Sequence, residues 1–301
     1  MSQAVATFIV PGRDVAPYVH EALDSLQAQT RADWRAILID DGSVDDTGKI
    51  FERAARADDR LRVIHHARAV GLGAARNVGL DLVDTPYVGF LDADDVLAPH
   101  ALTRFVETLE RTGSDLAIAA YSRLRPTADG SYAASEVQPW VTAATSPARE
   151  RTTLAEHPAA TASIVAWAKL VRTPFWGLRR FPEGRLYEDQ EVAQDLLLHA
   201  RAFDTIPEPL VLWRVRADGS SITQREGELA VLQDCLAAMR GGLAVLRDEP
   251  AALRARTELI LAMDIPRLEG IAETHTDPRY RAEVERFRAE IRSLLPARLA
   301  P

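Results

Sequence analysis

The sequence predicts an α/β fold: a Rossmann-like, mostly parallel sheet flanked by helices, with a C-terminal helical extension. Three observations carry that prediction. Short apolar or β-branched runs alternate with amphipathic helical stretches as far as Tyr121, the pattern of strand-helix-strand units. The strand-type runs are continuously apolar instead of alternating, which marks strands buried on both faces. Beyond Gln224 only helical spacing remains.

Taken in order, Val5 to Val10 is a buried-strand run, and after Pro17 the residues Val19, Ala22, Leu23 and Leu26 recur at helical spacing. Ala36 to Ile39 repeats the strand signal. Ser43, with Asp46 three residues on, reads as a capping-box start for a helix through Ala57. Leu61 to His65 is a third strand, Gly71 to Asp81 a loop running into a helix, and Tyr87 to Leu91 a fourth strand. Pro99 to Arg111 reads as helix and Leu116 to Tyr121 as strand. From Arg125 to about His157, Pro, Ser, Thr, Ala and Gly dominate, which predicts irregular connections over a cleft. Periodicity resumes at Ile164 to Val171, then come a helix from about Tyr187 to His199 and a strand at Leu210 to Val215. Helices follow, with breaks expected at Pro250, near Gly270 and at Pro278. The organisation is one domain in two halves, 1–121 and 122–225, and a helical region, 226–301, packed on the body or on a partner.

Composition excludes several classes of function. Lys and Arg number 36 against 44 Asp and Glu, a net charge of -8, which argues against nucleic acid as a partner because counterion release needs a clustered basic surface. The single Cys235 cannot form an intramolecular disulfide, and the seven His show no zinc-site spacing, so a reducing, cytoplasmic setting is expected. No basic leader precedes the first apolar run, and no stretch approaches the ~18 apolar residues of a membrane span. A soluble, unexported chain is therefore expected.

Ligands of open parallel sheets sit at the carboxyl ends of the strands, and here those ends are acidic. The first strand ends in Pro11-Gly12-Arg13-Asp14, the second in Asp40-Asp41-Gly42-Ser43, the fourth in Asp92-Ala93-Asp94-Asp95. Such carboxylates repel one another and any phosphate unless a cation or hydrogen-bond donors lie among them. Alternation sends Asp92 and Asp94 to one side, a grip for Mg²⁺ or Mn²⁺, which take oxygen ligands. The plain alternative is a solvated turn with Asp95 capping a helix. Gly71-Leu72-Gly73-Ala74-Ala75-Arg76 is a poor dinucleotide fingerprint, but its glycines admit a ligand close to the backbone and Arg76 offers a forked donor to phosphate. The alternative for Glu188-Asp189 is an acidic first helical turn complementing the helix dipole. Trp140, Trp167 and Trp176 would offer flat faces to a ligand ring or serve simply as core aromatics. His65, His66 and His199 read as structural, and Cys235 as a small buried hydrophobe.

Phe8-Ile9-Val10-Pro11, Ala28-Gln29-Thr30, Leu38-Ile39-Asp40-Asp41-Gly42-Ser43, Gly73-Ala74-Ala75-Arg76-Asn77 and Phe90-Leu91-Asp92-Ala93-Asp94-Asp95 resemble, in order, the motifs of family 2 glycosyltransferases with the GT-A fold. Ala168-Lys169-Leu170-Val171, Phe181-Pro182-Glu183-Gly184, Tyr187-Glu188-Asp189 and Leu212-Trp213-Arg214 are similar to that family's acceptor half. The likeness spans roughly residues 4–223.

The resemblance implies an inverting, metal-dependent glycosyltransferase that takes a nucleotide-sugar donor, most often a UDP-sugar. Residues 1–121 would bind the donor, and 122–225 would hold the acceptor and the catalytic base. Asp41 would bind the nucleobase with Pro11 in the same pocket, Arg76 the diphosphate or nucleotide edge, and Asp92, Ala93 and Asp94 the ribose, sugar and metal. Asp94 would be the main ligand of Mn²⁺ or Mg²⁺ and Asp92 would assist; Asp189 would be the catalytic base, with Glu188 beside it. Arg13 replaces the aromatic ring usual in the family, and Gln190 the acid that often follows the Glu-Asp pair. The Gln-x-x-Arg-Trp segment of processive members is absent, which implies transfer of one sugar or short extension. Arg214 and Arg216 would meet phosphate or lie as surface charge. The acceptor class is a glycan, polyol or small molecule of cell-wall, polysaccharide, lipid-linked or secondary-metabolite type. Peripheral association with the inner membrane face and self-association through the C-terminal helices stay open at this level. Two other readings do too: a sugar-nucleotide nucleotidyltransferase, and a non-catalytic nucleotide-sugar binding module.

Overall fold

The computed structural model describes residues 4–295, so the last six residues of the expected helical region and the first three of the chain lie outside the described residues. The first half runs β1 (Ala6–Gly12), α1 (Val19–Gln27), β2 (Trp34–Asp40), α2 (Thr47–Ala57), β3 (Leu61–His65), α3 (Leu72–Leu80), β4 (Tyr87–Phe90), β5 (Val96–Leu97), α4 (Ala101–Thr112) and β6 (Leu116–Pro126). The stretch expected to be irregular contains β7 (Tyr132–Ala134), α5 (Pro139–Thr145) and β8 (Arg149–Thr152). Then come β9 (Lys169–Arg172), the single turn α6 (Thr173–Trp176), α7 (Asp189–His199) and β10 (Phe203–Arg214). Four helices close the described chain: α8 (Leu229–Val245), α9 (Pro250–Leu259), α10 (Ile265–Thr274) and α11 (Pro278–Arg292).

The sheet order is β3-β2-β1-β4-β9-β6-β10-β5, with β7 beside β6 and β8 beside β10. β3, β2, β1 and β4 are parallel, as the apolar runs predicted, and β6 and β10 form a second parallel pair. Antiparallel β9 lies between β4 and β6 and joins the two groups into one mixed sheet. Every residue of β1 is buried, and side chains such as Phe8, Ile9 and Val10 each contribute about 1.5–3 kcal/mol by leaving water.

Two local expectations are corrected. Ser43 does not cap α2: its hydroxyl accepts the Asp14 amide at 3.2 Å, and the Asp45 carboxylate takes the Thr47 amide at 2.9 Å instead. Gly270 does not break a helix; α10 runs through it. The irregularity is a π-turn at Ile260–Asp264, ahead of Pro266, which has no amide proton for a carbonyl of the preceding turn.

The helical region is packed on the body. Leu246 and Ala252 belong to the main core, and α8–α11 enclose a second core around Leu236, Leu268 and Phe287. α8 approaches α7 at Gly241, where any Cβ would collide with the Glu191 carboxylate.

Candidate active site

The carboxyl ends of β1, β2 and β4 open into a cavity of about 1060 Å³, closed on the far side by the start of α7, the end of β10 and α8–α10. Pro11, Arg13, Asp41, Arg76, Asp92, Ala93, Asp94, Glu188 and Asp189 all line it, so residues as far apart as 11 and 189 face one space.

On the β2 side, Asp41 accepts the backbone amides of Val70 and Gly71, both at 2.9 Å, and Nδ1 of His66 at 2.8 Å. Burial by itself raises the Asp41 pKa; the bonds from His66, Val70 and Gly71 outweigh it and hold the carboxylate below its usual range. Asp41 therefore sets the path of the loop leading into α3. His66 was missed as a site residue, although its place directly after β3 put it at a strand end.

Arg76 is almost fully buried. One terminal nitrogen donates to Glu188, the other to Asp92 at 2.6 Å, and its Nε has no partner. Burial disfavours its charge, but Asp92, Glu188 and Asp189 together hold it protonated. Gly73, one turn earlier, has no room for a side chain because the Pro182 carbonyl lies against it. That approach brings the 181–188 segment over α3. Asn77 fastens it, donating to the Phe181 carbonyl and to Glu183 at 2.9 Å each.

The Asp92-Ala93-Asp94-Asp95 stretch is braced from β10 and the residues after it. Arg216 Nε donates to Asp94 Oδ2 at 2.7 Å, and Arg214 Nε to the Asp94 carbonyl at 2.7 Å. Arg214 also reaches Glu21 at 2.6 Å. Asp95 is no helix cap: it is fully buried, accepts the Arg214 amide at 2.8 Å through Oδ1, and leaves Oδ2 without a partner. Burial first, then neighbouring Asp92, push the Asp94 carboxyl upward against the pull of Arg216.

Asp189 opens α7. Its Oδ2 accepts the Ala166 amide at 3.3 Å, and burial raises its pKa, with Arg76 and Lys169 opposing. Tyr187, two residues earlier, holds φ at +58°, a left-handed conformation that an L-residue adopts only under constraint. Lys169 lies buried behind Asp189. It donates to the Ser163 carbonyl at 2.8 Å, the Ser163 hydroxyl at 2.9 Å and the Val165 carbonyl at 2.5 Å, fixing the segment that carries the Ala166 amide. Gln190 accepts Arg256 of α9 at 3.3 Å, tying α7 to the helical region.

Trp140 and Trp167 line the cavity, and so does Trp213, which had been noted only within a motif. Trp176 instead packs on Phe90 at 5.2 Å and Phe181 at 5.6 Å, as a core aromatic. Cys235 lies at the cavity's edge with its thiol pushed up to about 12 by burial, a poor nucleophile.

The donor set fits a divalent cation shared with a diphosphate. Asp92 and Asp94 present hard oxygens to one cavity, and Asp92 Oδ2 and Asp94 Oδ1 accept no hydrogen bond among the described residues. No cluster of three or more His, Cys, Asp or Glu suited to a metal occurs among the described residues. Protein would thus supply two ligands at most and the ligand's phosphates and water the rest, as Mg²⁺ commonly requires. Among the described residues no helix is long and apolar enough to cross a membrane.

A mixed α/β sheet flanked by helices, with acidic strand ends and a basic brace, has the GT-A architecture, and the comparisons agree. The fold matches TarS of S. aureus, residues 1-349, with TM-score 0.75 over 97% of this chain and 81% of that one, at 17% identity. TarS in complex with UDP-GlcNAc matches with TM-score 0.72 at 17% identity, over 97% of this chain and 82% of that one. The mannosyltransferase PcManGT of Pyrobaculum calidifontis, in complex with GDP-Man and Mn²⁺, matches with TM-score 0.55 at 16% identity, over 98% and 86% of the two chains. Residues 7–155 match the family model described as Glycosyl transferase family 2, and the chain belongs to that family. In sequence it is 39% identical over 112 residues to the uncharacterized glycosyltransferase EpsJ of Bacillus subtilis, a match covering 37% of this chain but only 32% of EpsJ.

Proposed function

We propose that the chain is an inverting glycosyltransferase that moves a sugar from a nucleoside diphosphate donor, a UDP-sugar first, to a hydroxyl of a glycan or polyol acceptor. One observation carries this reading: Asp94 and Asp189, 95 positions apart, line the same cavity, with Arg76 bonded to their neighbours Asp92 and Glu188.

The donor would lie along the carboxyl ends of β1, β2 and β4, its base toward Pro11 and Asp41 and its diphosphate toward Asp92 and Asp94. The UDP-GlcNAc complex of TarS supports a uridine donor by likeness of fold, although Arg13 stands where a stacking ring is usual. A guanidinium also stacks on a base, so Arg13 would serve the same pocket. Asp92 and Asp94 would hold Mn²⁺ or Mg²⁺, which when bound stabilises charge on the departing diphosphate.

Asp189 would accept the acceptor's proton as the hydroxyl oxygen bonds to the anomeric carbon and the bond from that carbon to the diphosphate oxygen breaks. Its raised pKa suits it, since a base works best with a pKa near the working pH. Arg76 would keep Glu188 and Asp92 neutralised so that the diphosphate meets less repulsion.

The test is thermal stabilisation by a panel of UDP-, GDP- and dTDP-sugars with and without Mn²⁺, in the native chain and in Asp94→Ala, followed by assay of donor hydrolysis. Metal-dependent stabilisation by a nucleotide sugar, lost in Asp94→Ala, is expected. A native chain that neither binds nor hydrolyses any member would reject the reading.

A further inference from the structure

Beyond the residues assigned above to the donor and the base, the cavity has a second arm lined from β6. Tyr121, Arg123 and Arg125 alternate along β6 so that all three face this space. Arg123 makes no ion pair among the described residues; burial first, then Arg125 and Arg267, hold its guanidinium below the ordinary range against the opposing effect of Tyr121. Arg267 has partners of its own, Glu226 and Asp264, the latter at 2.8 Å. Arg123 Nε is buried and makes no hydrogen bond.

The surroundings hold that guanidinium in place. It lies 5.5 Å from the Trp140 ring and 5.2 Å from the Trp213 ring, and Trp213 is its partner in the β6–β10 register. Trp213 in turn packs on Trp167 at 6.4 Å. Stacking fixes the planar fork and removes part of its water, so little freedom remains to be lost when an oxyanion binds. A half-buried cation among cations is unfavourable unless something anionic compensates it. Among the described residues no carboxylate pairs with Arg123, and those nearby, Glu226 and Asp264, are taken by Arg267, which leaves the fork to a ligand.

We infer that this arm is an acceptor subsite for an oxyanion: the acceptor carries a phosphate or carboxylate that seats on Arg123 and Arg125 while its sugar or polyol face rests on Trp213. The inference rests on the glycosyltransferase reading for calling the ligand an acceptor. The oxyanion site itself stands on the arginine geometry.

The experiment is calorimetric titration of the full chain, held with saturating UDP and Mg²⁺ to occupy the donor's phosphate positions, with glycerol, glycerol 3-phosphate, glucose and glucuronate. Each is repeated in Arg123→Gln, Arg123→Lys and Arg125→Gln. At least one anion should bind tenfold or more tighter than its neutral counterpart, and the pair that responds tells phosphate from carboxylate. Arg123→Gln and exposed Arg125→Gln should each remove most of that preference, and Arg123→Lys should keep part of it, because it retains charge without the fork. Equal binding of neutral and anionic probes overturns the inference, as does a preference that survives both Gln variants. UDP, GDP and dTDP are titrated separately into the native chain: failure of all three to bind rejects the enzyme reading, while the dependence on Arg123 and Arg125 still decides the subsite.

Discussion

Arg76 donates to Glu188 across 112 positions of sequence, and through its other terminal nitrogen to Asp92, so one buried guanidinium joins the two halves of the domain at the cavity. Arg76→Met would leave two carboxylates facing each other without a cation. Removing one partner of a buried pair typically costs about 3–5 kcal/mol. Thermal unfolding of the variant should show a loss of that order; a melting temperature within a degree of the native chain would show that the bridge contributes nothing.

Asp189→Asn keeps the shape at the start of α7 and removes the proton acceptor. Sugar transfer should fall by about 10²–10⁴-fold, the usual range for general-base catalysis, with nucleotide binding nearly unchanged. Undiminished turnover in a transfer assay would exclude Asp189 as the base.

Burial holds the Asp189 pKa above the ordinary ~3.9 of aspartate. Activity needs the ionised form, so the acid limb of the rate profile should have its midpoint above that value and be absent from the residual activity of Asp189→Asn. The stability sign is opposite. Between the ordinary and the raised pKa the native state holds a proton that the unfolded chain has released, so native stability falls as pH rises through that window. Chemical denaturation across the acid range should show this slope flattened in Asp189→Asn; identical slopes would contradict the raised pKa.

Lys169→Met removes three hydrogen bonds from the 163–165 segment and leaves their buried acceptors unsatisfied. Burial pulls the Lys169 pKa down to about 7, so its bonds fall between the neutral range of about 0.5–1.5 kcal/mol and the charged range of about 1.5–3 kcal/mol, and a clear loss of stability is expected. Because Ala166 in the same segment bonds Asp189, kcat should fall more than nucleotide affinity does. Equal losses in both would point to general unfolding instead.

Much of this site was legible in the chain. Apolar runs ending in Asp mark strands whose carboxyl ends carry carboxylates, since burial of a parallel strand and solvation of its end leave few other patterns. Asp41, Asp92 and Asp94 could therefore be named before any coordinates, and Asp189 only through the resemblance that Tyr187-Glu188-Asp189 carries. His66 and Arg216 were not assigned their contacts, because each acts on a residue far from it in sequence and no spacing encodes such a pair. Ser43 looked like a cap because the capping box is a local pattern, yet a nearer amide from the β1 loop claims its hydroxyl.

The sequence by itself determined the strand-helix alternation, the acidic strand ends and the family, because these follow from periodicity and short motifs. Tertiary structure alone decided which charges meet. It inserted β9 to weld two parallel groups into one sheet, laid α8 against α7 at Gly241, and left Arg123 between two indoles without an acid. Pairing of buried charges depends on distances between segments, and only packing of the whole chain sets those.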